Sequence, residues 1–254
     1  MKAIILAAGK GTRFASERTK VLQKLGGKTL LQLVIELADA VGITEKIIVI
    51  GYQGKEVQQS LARIAGISGI LFVWQRKQQG TGHAVMMAKP FLKEPEEILI
   101  LYGDVPALRR ETLQKLLVIH RTQKNSLTLL TAELKDPAWY GRILRDKKKT
   151  VIGIREAKDC SAEELKINEI NSGIMVVDSS FLCSALNKIN NNNEQKEYYL
   201  TDMVQIACRE GKKVGACTVY DEEEIKGINS MEELEEMRKI FTRRKKFSSS
   251  NVLI

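Results

Sequence analysis

A chain of 254 residues, 44% hydrophobic and 28% charged, can bury one large α/β domain or two small ones, and its composition is that of an ordinary globular protein. No apolar run approaches the roughly 20 residues of a membrane span, and one Lys ahead of the first apolar run makes no signal peptide, so a cytoplasmic protein without a membrane span is expected. The net charge of +9 suits anionic partners, while two histidines, His83 and His120, are too few for a three-His zinc site and argue against a Ser-His-Asp triad.

The first predicted element is a buried strand at Ile4 to Leu6, which breaks at once into Ala7-Ala8-Gly9-Lys10-Gly11-Thr12-Arg13. Small residues let the backbone approach a ligand, successive N–H groups can form an anion-binding nest, and Lys10 and Arg13 add full charges. The loop is not a dinucleotide fingerprint, because Phe14 stands where a third glycine is required. Gly27-Lys28-Thr29 is not the end of a P-loop either, because Leu22 occupies the first glycine position and no strand leads in. A tight turn without function remains the alternative.

Gly26-Gly27 is a turn signal, and Leu30, Leu33, Val34, Leu37, Ala38 and Val41 recur at helical spacing until Gly42. Strands follow at Lys46 to Ile50, Ile70 to Trp74, Glu97 to Tyr102 and Leu127 to Leu134. Helical patterns lie between them, at Val57 to Ile64, Gly82 to Ala88 and Glu111 to His120. This alternation of doubly buried strands and helices predicts an α/β, Rossmann-like, mostly parallel sheet flanked by helices. Lys10, Arg13, Gln75 and Asp104 all follow strand ends, the edge where such sheets bind ligands.

From Tyr140 the texture changes. Gly141 to Arg145 and Thr150 to Arg155 read as a hairpin with a charged tip. Ile174 to Val177 is a strand, Ser180 to Ile189 a helix, Asn190 to Asn193 a polar loop and candidate lid, Thr201 to Ala207 a helix, and Val214 to Tyr220 a last strand. These elements are expected to form a smaller mixed β lobe over the ligand edge. Ser230 to Glu233 is a capping box opening a helix with Met231, Leu234, Met237 and Phe241 on one face. Its basic residues, Arg238 to Lys246, are expected to complement the helix dipole and to be solvated, with fraying from Phe247. Cys160, Cys183, Cys208 and Cys217 show no metal-ligand spacing and are expected as free thiols.

Leu6-Ala7-Ala8-Gly9-Lys10-Gly11-Thr12-Arg13 with Lys20 resembles the signature of the sugar-phosphate nucleotidyltransferases. Further motifs narrow the resemblance to the uridylyltransferase domains that act on N-acetylglucosamine 1-phosphate. They are Gln79 to Ala84, Leu101 to Pro106, Tyr140 to Ile143, Glu169 to Gly173, and Asn191 to Asn193 followed by Glu197 to Asp202. The likeness runs in order from Lys2 to Asn229, implying a nucleotidyltransferase domain over 1–229 and a C-terminal helix and basic tail over 230–254.

The resemblance implies UTP and N-acetylglucosamine 1-phosphate as substrates and Mg²⁺ as cofactor. It makes Arg13 and Lys20 the catalytic cations. Leu6, Ala7, Ala8, Gly9, Gln75, Gly80 and Thr81 would bind nucleotide, Gly141, Glu156 and Asn171 the sugar, and Asp104 and Asn229 the metal. Two positions depart from the family pattern: Thr19 stands where proline usually precedes the lysine, and Ser172 where threonine is usual. The 254 residues hold no left-handed β-helix repeats, so the acetyltransfer and trimer contacts that those repeats carry in bifunctional members are not expected, and no homo-oligomer is assigned. Other sugar 1-phosphates or nucleotides, a nucleotide-sugar sensor, and a nucleic-acid binder working through the basic tail are the competing readings; no nucleic acid is expected.

Overall fold

The computed structural model describes residues 1–11, 14 and 18–250, with side chains described as far as 244. Lys2–Ala7 (β1) is the centre of a nine-stranded sheet, and all six of its residues are buried. It pairs in parallel with Glu45–Ile50 (β4) on one side and Glu97–Tyr102 (β6) on the other. Alternate side chains of β1 face opposite layers. Ala3, Ile5 and Ala7 pack with Leu31, Val34 and Ile35 of helix α1 (Leu30–Ala40), while Ile4, Leu6 and the following Ala8 pack with Ala84, Val85 and Ala88 of α3 (Thr81–Ala88). Each large side chain buried in this way contributes roughly 1.5–3 kcal/mol.

A two-strand hairpin precedes α1: Lys24–Leu25 (β2) and Lys28–Thr29 (β3), joined by Gly26 and Gly27 at φ 60° and 90°. Positive φ at both central residues makes the twist of this turn match that of its strands, which is why two glycines stand there. Thr29 then caps α1, its hydroxyl accepting from the Gln32 amide at 3.1 Å. Beyond β4 come α2 (Gly54–Ala62) and Ile70–Trp74 (β5), parallel to β4 at the sheet's edge. From β5 the chain returns through α3 to β6, on the opposite side of β1. The switch in strand order therefore falls at β1, and the loops after β1 and β6 flank the crevice where doubly wound sheets bind ligands.

Helix α4 (Arg110–Gln123) leads to Leu127–Glu133 (β7), and Arg142–Arg145 (β8) and Val151–Arg155 (β9) form the expected hairpin. It joins the main sheet at one point, Arg142 opposite Ile170. The strand expected at Ile174 to Val177 is much longer, running Glu169–Asp178 (β10). It lies antiparallel between β6 and β7, with a register shift between Asn171 and Met175. Being antiparallel, β10 brings its beginning to the edge where the parallel strands end. After α5 (Ser179–Leu186) and α6 (Asp202–Arg209), Val214–Val219 (β11) closes the sheet parallel to β7.

Helix α7 runs Met231–Ser250, past the point where fraying was expected. Its buried face is Leu234, Met237 and Ile240, set against Phe14, Leu25, Leu30, Ala107 and Ile228; Met231 is exposed. The helix extends beyond the basic cluster, so its arginines do not sit in the last turn. Arg243 pairs instead with Glu223, and Arg244 with Asp221 at 3.1 Å while also donating to the Ala107 carbonyl at 2.7 Å. These two arginines thus pair with an acidic turn, Arg243 remaining more than half exposed. The four cysteines are free thiols, and no described helix is long and apolar enough to cross a membrane.

Candidate active site

Leu6, Ala7, Ala8, Gly9, Lys20, Gln75, Gly80, Thr81 and Asp104 line one cavity of about 260 Å³ at the carboxyl edge of the sheet, together with Val21, Gln78, Ala84, Tyr102 and Glu197. Nine residues singled out from separate stretches of sequence thus meet, because β1, β5 and β6 run in the same direction and release their loops on one side. Arg13 lies outside the described residues. A larger cavity of about 430 Å³, between Tyr140, Ile228 and α7, contains none of the glycine loop.

The walls are tight. The Ala8 carbonyl accepts from the Tyr52 amide at 3.2 Å. Gly51 sits so close behind the loop that a Cβ there would stand 2.8 Å from the Ala8 carbonyl and 2.9 Å from that of Gln75. Gln75 is 3% exposed; its Nε2 donates to the Gly80 carbonyl at 2.9 Å and lies 3.1 Å from His83 Nδ1. Burial holds the His83 imidazole below its usual range, a main-chain hydrogen bond with Lys77 partly offsetting it. The ring is therefore neutral at neutral pH and can accept at Nδ1.

At the mouth between β1 and β6, the Lys20 ammonium is paired with Asp104 and donates to Asn229 Oδ1 at 2.8 Å. Asp104 is held from behind: its carbonyl accepts from the Ile228 amide at 2.9 Å, which sets Asn229 beside it. The capping box at the start of α7 fixes Asn229 further. Ser230 Oγ accepts from the Glu233 amide at 3.2 Å, but the Glu233 carboxylate reaches back to the Asn229 amide, at 2.5 Å, rather than to that of Ser230. The shift by one residue places a carboxylate against the main chain of the site.

A carboxylate oxygen and an amide oxygen thus converge on a cation. Such a sparse, hard-oxygen pair suits a divalent ion that keeps its waters and binds phosphates. Among the described residues no group of three or more His, Cys, Asp or Glu could hold a metal. Asp104 and Asn229 fit one; Lys20 holds the same two oxygens here.

Gly141, Glu156 and Asn171 form a second cluster outside that lining. The Asn171 amide donates to the Gly141 carbonyl at 2.8 Å, and Glu156 Oε2 lies 3.3 Å from where a Gly141 Cβ would be. Arg142, 3% exposed, has no carboxylate partner among the described residues. Its guanidinium donates to the carbonyls of Pro137, Ala138 and Tyr140, clamping the turn before Gly141. Burial pushes the Glu156 carboxyl up, the Thr201 hydroxyl bonded to it at 2.8 Å pulls it down, and Asp159, Asp202 and Glu197 add repulsion. The Ser172 hydroxyl is used twice, donating to the Leu130 carbonyl at 2.7 Å and accepting from the Ile174 amide at 3.2 Å.

Two features that join these clusters carried no assigned role in the sequence. Tyr102 lines the cavity, hydrogen-bonds Thr81, and feels the charges of both Glu156 and Asp104; burial and those charges raise its phenol, keeping it protonated. Its ring lies over Gly173, φ +84°, where a Cβ would be 2.6 Å from a ring carbon. The stretch 198–201 stitches the loop after β5 to the second cluster. Tyr198 N donates to the Gln79 carbonyl and its own carbonyl accepts from Gly82 N, both at 2.8 Å, and Leu200 N donates to Thr81 Oγ1 at 3.2 Å. The next residue, Thr201, is the partner of Glu156. The only sequence signal for this was the motif Glu197 to Asp202 itself.

A glycine loop at a switch point, facing a carboxylate and a strand-end amide, occupies the place where doubly wound α/β enzymes bind their ligands. The family model described as nucleotidyl transferase matches residues 2–223, and the chain belongs to that family of enzymes. It is 45% identical over 244 residues to "Bifunctional protein GlmU" of Alkaliphilus metalliredigens, covering 96% of this chain and 52% of that relative. The protein of the same name from Clostridioides difficile is 42% identical over 243 residues, with 96% and 52% covered. The chain spans about half the length of the curated relatives it matches. In fold it is similar to the crystal structure of apo UDP-glucose pyrophosphorylase, with a TM-score of 0.79 at 16% identity, covering 96% of this chain and 99% of that one.

Proposed function

We propose that this chain transfers a uridylyl group from UTP to N-acetylglucosamine 1-phosphate in the presence of Mg²⁺, giving UDP-N-acetylglucosamine and pyrophosphate. The observation that carries the reading is the convergence of Leu6 to Gly9, Lys20, Gln75, Gly80, Thr81 and Asp104 on one cavity, with Asn229 at its mouth. The motif set shared with the uridylyltransferase domains carries the choice of sugar and base. The working unit is residues 1–229, with α7 as a buttress that fixes Asn229 through Glu233.

A phosphate oxygen of the sugar forms a bond to the α-phosphorus of UTP as the bond to the β-phosphate oxygen breaks, and pyrophosphate leaves. The nucleophile is already an anion, so no strong general base is needed; the demand is for positioning and for cancelling charge between two anions. The backbone of Leu6 to Gly9 lies against uracil and ribose, and Gln75 with Gly80-Thr81 meets the base edge. Lys20 passes its ammonium from Asp104 and Asn229 to a phosphate oxygen, and Arg13 takes the leaving pyrophosphate. Bound Mg²⁺, held by Asp104 and Asn229, would supply further neutralisation of the triphosphate. Gly141 admits the sugar ring, Glu156 accepts from its hydroxyls, and Asn171 bonds its hydroxyl or acetamido side.

The test is pyrophosphate release by the purified protein with UTP, Mg²⁺ and a panel of sugar 1-phosphates. Turnover that needs the N-acetylglucosamine ester and stops with chelator is expected. Equal rates with other sugar esters, or undiminished rates in excess chelator, would overturn the reading.

A further inference from the structure

We infer that His83 is a positioning residue for base selection: its Nδ1 locks the Gln75 amide so that only the carbonyl oxygen of that side chain is presented to the nucleotide base. The inference rests on reading the cavity as a nucleotide site.

A primary amide has two N–H donors on nitrogen and an acceptor on oxygen, and turning it over exchanges them. Both donors of Gln75 are already committed. One goes to the Gly80 carbonyl at 2.9 Å, which can only accept, so the nitrogen must face that way. The other faces His83 Nδ1 at 3.1 Å. Gln75 lines the cavity, and with both hydrogens engaged it can offer a ligand only Oε1. The imidazole is held in turn: it opens α3 beside Gly82, whose amide is fixed to the Tyr198 carbonyl, and its ring centroid lies 6.2 Å from that of Tyr198.

A fixed acceptor sorts the bases by chemistry. Uracil has an N–H at position 3, between two carbonyl oxygens. Cytosine has a lone pair there, which would meet the Gln75 oxygen lone pair to lone pair. Discrimination against cytosine requires that the amide not turn over, and each acceptor that holds Nε2 opposes the turn. A neutral hydrogen bond of this kind stabilises by about 1 kcal/mol, so loss of the His83 acceptor is expected to lower the preference for a uracil base about fivefold.

The experiment measures dissociation constants of UTP and CTP at pH 8 by calorimetry for the whole chain, for His83→Phe and for His83→Asn. Phenylalanine keeps a ring against Tyr198 but has no acceptor, whereas the asparagine oxygen can take the place of Nδ1. The wild type should prefer UTP, His83→Phe should lose about fivefold of that preference, and His83→Asn should retain it. In turnover, the KM for the sugar phosphate should be unchanged in all three. His83→Phe with the wild-type UTP to CTP ratio overturns the inference, as does equal loss in both variants with a shifted sugar-phosphate KM. A wild type that binds both nucleotides equally also overturns it while leaving the nucleotide site standing; a wild type that binds neither removes the site reading itself. If His83→Phe does not fold, His83→Ala against His83→Asn gives the same contrast.

Discussion

Asn229 meets Asp104 across the ammonium of Lys20: two oxygens from distant parts of the sequence are bound by the same cation. A metal entering between those oxygens must displace that ammonium, so Lys20 and the metal compete in the free protein. Lys20→Met should therefore bind Mn²⁺ several-fold more tightly without nucleotide, while turnover falls by about 100-fold or more, as when one preorganised donor to a transition state is lost. Titration of Mn²⁺ by electron paramagnetic resonance, set beside pyrophosphate release, checks both halves. Asp104→Ala should bind no Mn²⁺ and leave the free-ion signal undiminished.

Glu233 acts on that pair through the main chain. Its carboxylate accepts from the Asn229 amide at 2.5 Å while its own amide is capped by Ser230. Glu233→Ala should weaken Mn²⁺ binding about 10-fold, the lower end of the range for residues that orient a metal ligand. The same change should cost about 1 kcal/mol of stability, as loss of a helix cap does. Ser230→Ala removes the cap and leaves the carboxylate, so it should lower stability with much less effect on the metal.

The geometry of Thr19 suits proline. Its φ is −53°, it is 2% exposed, and its hydroxyl is buried with no hydrogen-bond partner among the described residues. Thr19→Pro should stabilise the fold by about 0.4–1 kcal/mol by restricting the unfolded chain. Relief of the orphaned hydroxyl adds to this. Urea denaturation of the variant beside the wild type measures the gain.

Glu156 gives a pH dependence of defined sign. Burial raises its carboxyl above the reference value of 4.5, so between the two values the native state holds more protons than the unfolded one and stability falls as pH rises. Glu156→Gln should raise the melting temperature at pH 8. That gain should vanish below about pH 4, where the carboxyl is protonated in both states. In turnover, the wild-type KM for the sugar phosphate should rise as pH falls through the raised value, because the sugar hydroxyls lose an ionised acceptor. The variant should show a higher KM and no such slope.

What could be read from the sequence and what could not divide along physical lines. Strand ends followed by Gly9, Gln75 and Asp104 were legible because a parallel sheet delivers all its strand ends to one edge. The full length of β10 was not, since a glycine reads as a break, yet pairing with β7 on both sides of Gly173 carries the strand through. The stitching of 198–201 was hidden because its bonds to Gln79 and Gly82 are main-chain bonds, which side-chain identity does not report. His83 was read as one of two scarce histidines and, like Arg142, as part of a motif; their roles depend on neighbours at 3.1 Å and on three carbonyls of one turn. The pairing of Arg243 and Arg244 was not legible, because their acidic partners precede α7 in a separate turn.

The order in which the ribosome emits the chain gives Asn229 a last consequence. Every strand of the sheet is synthesised before it, so a growing chain has emitted its whole sheet before the Lys20 ammonium can meet its second oxygen.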